Sequence, residues 1–402
     1  MTANADWMAR LAELAVRVGA NVQPDQVVTM GCQPGQVDMA RQVADAAYRA
    51  GARFVDVVWH DPVVKRSRVR HAPQDTLGWV PPWYTQRAVH QGDTGGATIA
   101  LSGPTAPGVF DDVDPARLAL DRLPSVREQT EAALAGKLNW TVVPCPTPAW
   151  AAMVHPGLAP EAALDLLWAD IAHVCRLDTD DPVRAWRERA EQIVASADAL
   201  NRRRIDALHF VGPGTDLTVG LFGGSRWLGG TQRRPDGLEH LPNIPTEEVF
   251  TTPDPRRTEG VVSATMPLEL AGTLVEGLRV TFREGRAVDI TADRGAEVLR
   301  GRAATDEGAA RLGEVALVDG SGRIGPLGRV FLDTLLDENA ASHIALGGAY
   351  PAGVDGPERE LANVSDIHID FMIGGPEVTV SAVAADGTES PLLRRGEWVA
   401  AG

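Results

Sequence analysis

Hydrophobic residues in the first half of the chain alternate between short apolar runs and helical repeats. Apolar runs at 26–32 and 53–61 flank the segment 34–52, which has helical periodicity and a glycine stop. Strand, helix and strand at this spacing predict a right-handed βαβ unit in a parallel sheet. The same pattern predicts further buried strands at 97–104 and 139–147, a helix near 115–135, and two long helices at 161–177 and 182–204.

The pattern changes after about residue 205, where short strands joined by tight turns replace the alternation. Strands are predicted within 207–222, 260–270 and 277–293, with a hairpin turn at 283–286 and one helix near 295–311. The sequence therefore predicts an N-terminal α/β domain with a mainly parallel sheet, residues 1–204, and a strand-rich mixed α+β domain, residues 205–402.

Chain length and composition agree with two globular domains. The chain has 402 residues, of which 44% are hydrophobic, and no apolar run approaches the ~20 residues of a membrane span. The amphipathic N-terminus lacks the features of a signal peptide and predicts a mature helix. Three widely spaced cysteines, Cys32, Cys145 and Cys175, indicate a reducing compartment without a disulfide framework, so a cytoplasmic location is expected.

The formal net charge is −16, which disfavours nucleic acid and anionic membranes as partners. One short basic cluster, residues 65–70, is interpreted as a solvated loop or as a contact with a partner subunit. Just before it, His60 and Asp61 are adjacent and would point apart in a strand, which favours a structural or subunit-contact role for both.

The first candidate site is the pair His368 and Asp370, two residues apart in an apolar stretch. In a strand they share one face, while Ile367, Ile369 and Phe371 share the other. A histidine and a carboxylate on one strand face suit a metal ion. The alternative is an edge strand that faces water.

Further candidate ligands occur in the same half of the chain. Glu247 and Glu248 lie in a proline-bounded segment, and one of them should face inward if a strand begins there. Glu314 begins an apolar strand at 313–318, and His343 is surrounded by small residues. Taken singly, each glutamate is equally consistent with a surface charge or a helix end, and His343 is equally consistent with a position in the core.

Other chemistries have weaker support. There is no G-x-S-x-G elbow, no dinucleotide or phosphate-binding glycine motif, and Cys145 lies between prolines, so nucleophilic catalysis is disfavoured. A paired-carboxylate glycosidase is not excluded but leaves the histidines without a role. Two histidines and three carboxylates suit Zn²⁺, Co²⁺ or Mn²⁺, and five ligands suit two ions that share a bridging carboxylate and water.

Four segments, in this order, resemble the M29 family of metallo-aminopeptidases: NIPTEEVFTTP (243–253), LGEVALV (312–318), ENAASHIALGGAY (338–350) and SDIHIDFMIG (365–374). A weaker resemblance covers 209–221 and 57–73. The resemblance implies two divalent metal ions held by Glu248, Glu314, His343, His368 and Asp370, with Tyr350 near them. It also implies a homodimer with an enclosed active site that cleaves N-terminal residues from peptides.

The expected mechanism is hydrolysis by an activated bridging water, with Tyr350 donating a hydrogen bond to the oxyanion. Glu248 or Glu314 acts as general base or serves only as a ligand; the sequence leaves this open.

Two alternative functions also stay open. One is a ring-cleaving dioxygenase of the 2,5-dihydroxypyridine type, with one Fe(II) on His343, His368 and Asp370. The other is a metal-binding protein without turnover.

Overall fold

A parallel four-stranded sheet organises the first of two units in the computed structural model, which describes residues 3–121, 123, 126–270 and 273–399. This unit comprises Met1–Ala190 and Thr231–Pro245, and the second comprises Glu191–Gly230 and Thr246–Gly402. The predicted fold class, a parallel α/β region and a strand-rich α+β region, is confirmed. The functional division at residue 205 stays a prediction.

The first unit alternates strands and helices, as its apolar pattern predicts. The sheet order is β2-β1-β3-β4, and all three pairings are parallel. Prolines begin several helices, where the missing N–H costs no hydrogen bond. The elements are α1 (Ala3–Leu14), β1 (Val27–Cys32), α2 (Val37–Arg49), β2 (Phe54–Trp59), α3 (Pro62–His71), α4 (Pro82–Thr94), β3 (Ala97–Ser102), α5 (Pro115–Leu120), α6 (Arg127–Leu134), β4 (Asn139–Pro144), α7 (Pro148–Val154), α8 (Pro160–Val174) and α9 (Pro182–Arg202), within which the second unit begins.

Antiparallel strands form the second unit. Its larger sheet has the order β12-β11-β8-β6-β5-β16-β17-β18, and its smaller sheet the order β15-β14-β13-β7. The elements are β5 (Ala207–Gly212), β6 (Thr215–Leu221), β7 (Glu248–Thr251), β8 (Pro253–Ser263), β9 (Leu268–Leu270), β10 (Thr273–Val275), β11 (Arg279–Arg283), β12 (Arg286–Thr291), α10 (Ala296–Ala303), β13 (Leu312–Val318), α11 (Thr334–Asp337), β14 (His343–Gly347), β15 (His368–Met372), β16 (Thr379–Val383), β17 (Glu389–Arg394) and β18 (Glu397–Trp398).

One apolar core joins the two sheets of the second unit. It includes Phe210 and Leu217 from the larger sheet, and Ile344, Ile369 and Phe371 from the smaller one. Because side chains alternate along a strand, the residues between these core positions point to the other face of the smaller sheet. That face carries the predicted metal ligands.

A β-bulge at Gly313 sets which side chains of β13 face the core. Leu312 pairs with Leu346 and Glu314 with Ala345, so one extra residue lies between the two pairs. Without it, Leu312 and Glu314 would share a face. Only glycine fits, because a Cβ at Gly313 would lie 2.4 Å from the carbonyl oxygen of Gly347. The bulge thus lets Leu312 enter the core while Glu314 faces the site.

Two predicted helices are shorter than expected, and an aspartate forms a turn after each. The helix expected at 115–135 is two helices, because the carboxylate of Asp121 accepts a hydrogen bond from the Leu123 amide after α5. The helix expected at 295–311 ends at Ala303, and Asp306 forms a turn by accepting from the Ala309 amide. Among the described residues, no helix is long and apolar enough to cross a membrane.

His240 is expected to make the stability of the first unit depend on pH. It is 4% exposed, and burial together with the charge of Arg234 lowers its pKa to about 4. Between about pH 6.5 and 4, His240 is therefore protonated in the unfolded chain but still neutral in the folded chain. The free energy of unfolding falls as the pH falls through this range. We expect a loss of up to about 3 kcal/mol over this range. Urea unfolding of wild type and His240→Phe at pH 7 and pH 4.5 tests this: the variant should lose less stability, and an equal loss in both proteins would contradict it.

Candidate metal centre

Four adjacent strands bring the five predicted metal ligands to one face of the smaller sheet. Ala345 on β14 pairs with Glu314 on β13 and with Asp370 on β15, so these three residues lie in one row. The small side chain of Ala345 lets the two carboxylates beside it lean towards each other. The five residues are Glu248 on β7, Glu314 on β13, His343 on β14, and His368 and Asp370 on β15.

The ligand atoms form two groups that share Glu314. In each group the nitrogen and oxygen atoms lie within 4.8 Å of one another: Glu248, Glu314 and His343 form one, and Glu314, His368 and Asp370 the other. His343 Nε2 is 3.8 Å from Glu314 Oε1, whereas His368 Nε2 is 3.4 Å from Glu314 Oε2. The two carboxylate oxygens of Glu314 therefore face different groups.

Both imidazoles are held so that Nε2 faces the centre. His343 Nδ1 lies 3.2 Å from the carbonyl oxygen of Ala341, and His368 Nδ1 lies 2.8 Å from that of Gly348. A carbonyl can only accept, so each Nδ1 donates its proton and, in the neutral ring, leaves the Nε2 lone pair free. Hydrogen bonds of this kind, from the ring nitrogen that does not bind metal, orient metal-binding histidines in proteins.

Negative charge exceeds positive charge at the centre. Burial raises the pKa of Glu248, whereas hydrogen bonds from the two histidines outweigh burial and hold the pKa of Glu314 below its usual range. Burial would lower the pKa of His343, but its bonds to these glutamates raise it well above the usual value. Acidic groups with so little access to water require compensating cations, and divalent ions would supply that charge. The donor set thus fits metal.

An aromatic wall stands beside the second ligand group. The Tyr350 ring lies 5.3 Å from that of His368 and 5.6 Å from that of Phe250. The Thr252 hydroxyl donates to the backbone carbonyl of Tyr350 at 2.7 Å and fixes the turn. Burial and the charges of Glu314 and Asp370 raise the pKa of Tyr350, so the phenol keeps its proton and can donate a hydrogen bond.

Sequence reasoning missed Glu338, which lies next to the centre. Burial raises its pKa well above the usual value, and the charges of Asp370 and Glu248 raise it further. Among the described residues it belongs to neither ligand group. The available signal was its position five residues before His343, directly after α11. Glu247 is also buried, but it packs against Gly322 and not at the centre.

The comparisons with known proteins agree with this geometry. A family model described as thermophilic metalloprotease (M29) matches residues 5–398. The chain is 43% identical to Aminopeptidase T of Thermus thermophilus, with 98% of each chain covered, and 36% identical to Aminopeptidase 2 of Geobacillus stearothermophilus, with 97% of each covered. It also resembles the solved structure of wild-type AmpT from Thermus thermophilus, with a TM-score of 0.89, 42% identity, and coverage of 98% of this chain and 99% of that one.

These matches extend over both units and are not restricted to the centre. They confirm the predicted resemblance and the enzyme class, a metal-dependent hydrolase of the aminopeptidase type. They give no support to the dioxygenase alternative. The chain belongs to the M29 family of metalloproteases.

Proposed function

We propose that the aminopeptidase activity of this chain depends on a dinuclear centre bridged by Glu314. The observation that carries the proposal is the position of the two Glu314 oxygens, one toward His343 and Glu248, the other toward His368 and Asp370. The first group would hold one divalent ion and the second group would hold the other. Zn²⁺, Co²⁺ and Mn²⁺ suit imidazole and carboxylate ligands.

When bound, the two ions supply Lewis-acid polarisation of the scissile carbonyl and lower the pKa of a shared water. The chain's own residues do the rest. Glu338 accepts the proton of the attacking water and returns it to the leaving amine, a role supported by its location beside both ligand groups and in neither. Glu248 and Glu314 then serve as ligands. Tyr350 donates its phenol hydrogen to the developing oxyanion.

Substrate reaches the centre from the side of His368 in this proposal. The imidazole of His368 is 29% exposed, whereas that of His343 is 1% exposed. The free α-amine of a peptide substrate binds among the carboxylates of the centre. The side chain of the peptide's first residue lies against the rings of Phe250 and Tyr350. An amine anchor of this kind limits cleavage to the N-terminal residue.

A homodimer and a cytoplasmic location complete the proposal. Trp79 and Trp83 are each 58% exposed, and Trp59 is also exposed, so the first unit carries aromatic surface suited to a second copy of the chain. The three cysteines are buried and form no disulfide in the described part of the chain, which agrees with a reducing compartment.

The amine anchor is tested with a matched pair of substrates. We expect hydrolysis of leucine p-nitroanilide and a rate at least about 1,000-fold lower on N-acetyl-leucine p-nitroanilide, because the acetyl group removes the charge that the carboxylates bind. The measurement is kcat/KM for each substrate after loading with Zn²⁺, Co²⁺ or Mn²⁺. Equal rates on both substrates would contradict exopeptidase action.

A further inference from the structure

A second site, distinct from the metal centre, lies inside the first unit. A partly open cavity of about 280 Å³ lies between one face of the parallel sheet and the helices α4 and α6. The cavity reaches Gln33 and His60, which directly follow β1 and β2. In the strand order β2-β1-β3-β4, β2 lies on one side of β1 and β3 lies on its other side, so the strand order reverses at β1. Ligands of open α/β sheets bind at the carboxyl ends of the strands at such a reversal.

The floor of the cavity is left open by a glycine. Gly31 on β1 lines it, and a Cβ built there would meet no atom within 4 Å. The backbone of Gly31 does not have the positive φ that would require glycine. Most other residues of β1 are buried by packing. Gly31, in contrast, leaves space beside the strand that the side chain of another residue would fill.

The cavity is lined by apolar residues and by polar ones, among them the buried pair Thr29 and Gln91, which are hydrogen-bonded to each other. Ala88, Leu101 and Leu138 are buried wall residues. At the opening, the Thr105 hydroxyl donates to Gln33 Oε1 at 2.5 Å, which leaves the Gln33 amide nitrogen as a donor. His60 makes no side-chain hydrogen bond within the described part of the chain.

One charged side chain, an arginine paired with an aspartate, lies among the described residues that line the cavity. Arg87 lines the cavity, held by a bond of 2.9 Å from its Nε to Asp56 and by the ring of Tyr84, 5.8 Å away, so its two terminal nitrogens remain for another partner. Burial and the charges of Arg87 and Lys65 lower the pKa of His60. No aspartate or glutamate is among the described residues that line the cavity. In a chain of net charge −16, these lining residues thus contribute no negative charge of their own.

We propose that this cavity binds a small monocarboxylate with an apolar body, about the size of a hydrophobic amino acid without its amine. The carboxylate pairs with the terminal nitrogens of Arg87 and with the Gln33 amide, and the body lies over Gly31 against the apolar wall. The described lining residues offer no carboxylate to an α-ammonium group, and the nearby Asp56 is paired with Arg87.

The test uses benzoate as the probe and benzamide as its uncharged isostere. Binding to the full-length, metal-loaded protein is measured by ligand-observed NMR titration. We expect saturable binding of benzoate and at least about tenfold weaker binding of benzamide, because only the carboxylate forms a charge-assisted pair. Absence of saturable benzoate binding, or equal binding of the two probes, would overturn the proposal.

Three variants and their controls locate the binding. Gly31→Ile, which fills the floor, and Arg87→Gln, which removes the charge, should each weaken benzoate binding at least about tenfold. Gly78→Ile and Arg41→Gln are the matched controls, because Gly78 is equally open but outside the cavity and Arg41 lies on α2. His368→Ala should leave benzoate binding unchanged. Loss of binding in His368→Ala but not in Gly31→Ile would assign benzoate to the metal centre and refute the cavity site.

The same variants separate this proposal from the proposed function. Leucine p-nitroanilide hydrolysis should be unchanged in Gly31→Ile whether or not the metal centre is dinuclear. Circular dichroism and thermal unfolding of the variants check that the sheet is intact. A folded Gly31→Ile protein that binds benzoate as wild type does would rule out the cavity as the site.

Discussion

Glu314→Ala is expected to reduce the metal content from two ions per chain to at most one and to lower kcat/KM at least about 1,000-fold. Glu314 contributes an oxygen to each ligand group, so its loss removes a ligand from both. It also removes negative charge from between two cations a few ångströms apart, which increases their repulsion. Metal content by mass spectrometry and the rate on leucine p-nitroanilide are the two measurements.

A neighbouring carboxylate provides the control for this variant. Glu247→Ala removes a buried glutamate that does not reach the centre, so the metal content should stay at the wild-type value even if the variant is less stable. Thermal unfolding of both variants separates loss of metal from loss of fold. A folded Glu314→Ala protein with the wild-type metal content and rate would refute the bridging role.

Glu338→Gln is expected to keep both metal ions and to lose activity. Removal of a general base usually costs about 10²–10⁴-fold in rate, and the amide has nearly the same shape as the carboxylate but cannot accept the proton. The loss should fall mainly on kcat, because Glu338 acts on the water rather than on substrate binding. Metal content measured on the same sample distinguishes this from loss of a ligand.

The pH profile provides the further readout for Glu338. If Glu338 carries the proton, the acidic limb of the kcat profile seen in wild type should be lost or moved in Glu338→Gln. Tyr350→Phe serves for comparison, because it removes a hydrogen-bond donor and should lower kcat without moving that limb. Wild-type kcat in a metal-loaded Glu338→Gln protein would show that another group accepts the proton.

The sequence was most informative where one regular strand decides the geometry. His368 and Asp370 share a face of β15, and Ile369 and Phe371 enter the core, because strand side chains alternate. The βαβ pattern of the first half was equally readable, because the strand and helix periods differ there. The resemblance to M29 then connected four segments that no local pattern could join.

Features that depend on contacts distant in sequence could not be predicted. The position of Glu314 between the two ligand groups depends on a β-bulge at Gly313. That bulge depends in turn on the close approach of the Gly347 backbone to Gly313. Glu338 lies after a four-residue helix, and nothing local distinguishes it from a surface glutamate. The cavity over Gly31 exists only because a helix from 82–94 packs across three strands. Each case is set by tertiary packing rather than by local propensity.

The most direct test of the dinuclear proposal is the number of metal ions that restore activity to the stripped enzyme. The protein is treated with chelator, checked by circular dichroism for an intact fold, and titrated with Zn²⁺, Co²⁺ or Mn²⁺ while bound metal and leucine p-nitroanilide hydrolysis are followed together. The fold should survive, because the ligands lie on strands with a large apolar core of their own. We predict full activity only at two bound ions per chain. Full activity at one ion per chain, or activity that survives complete removal of metal, would contradict the dinuclear centre.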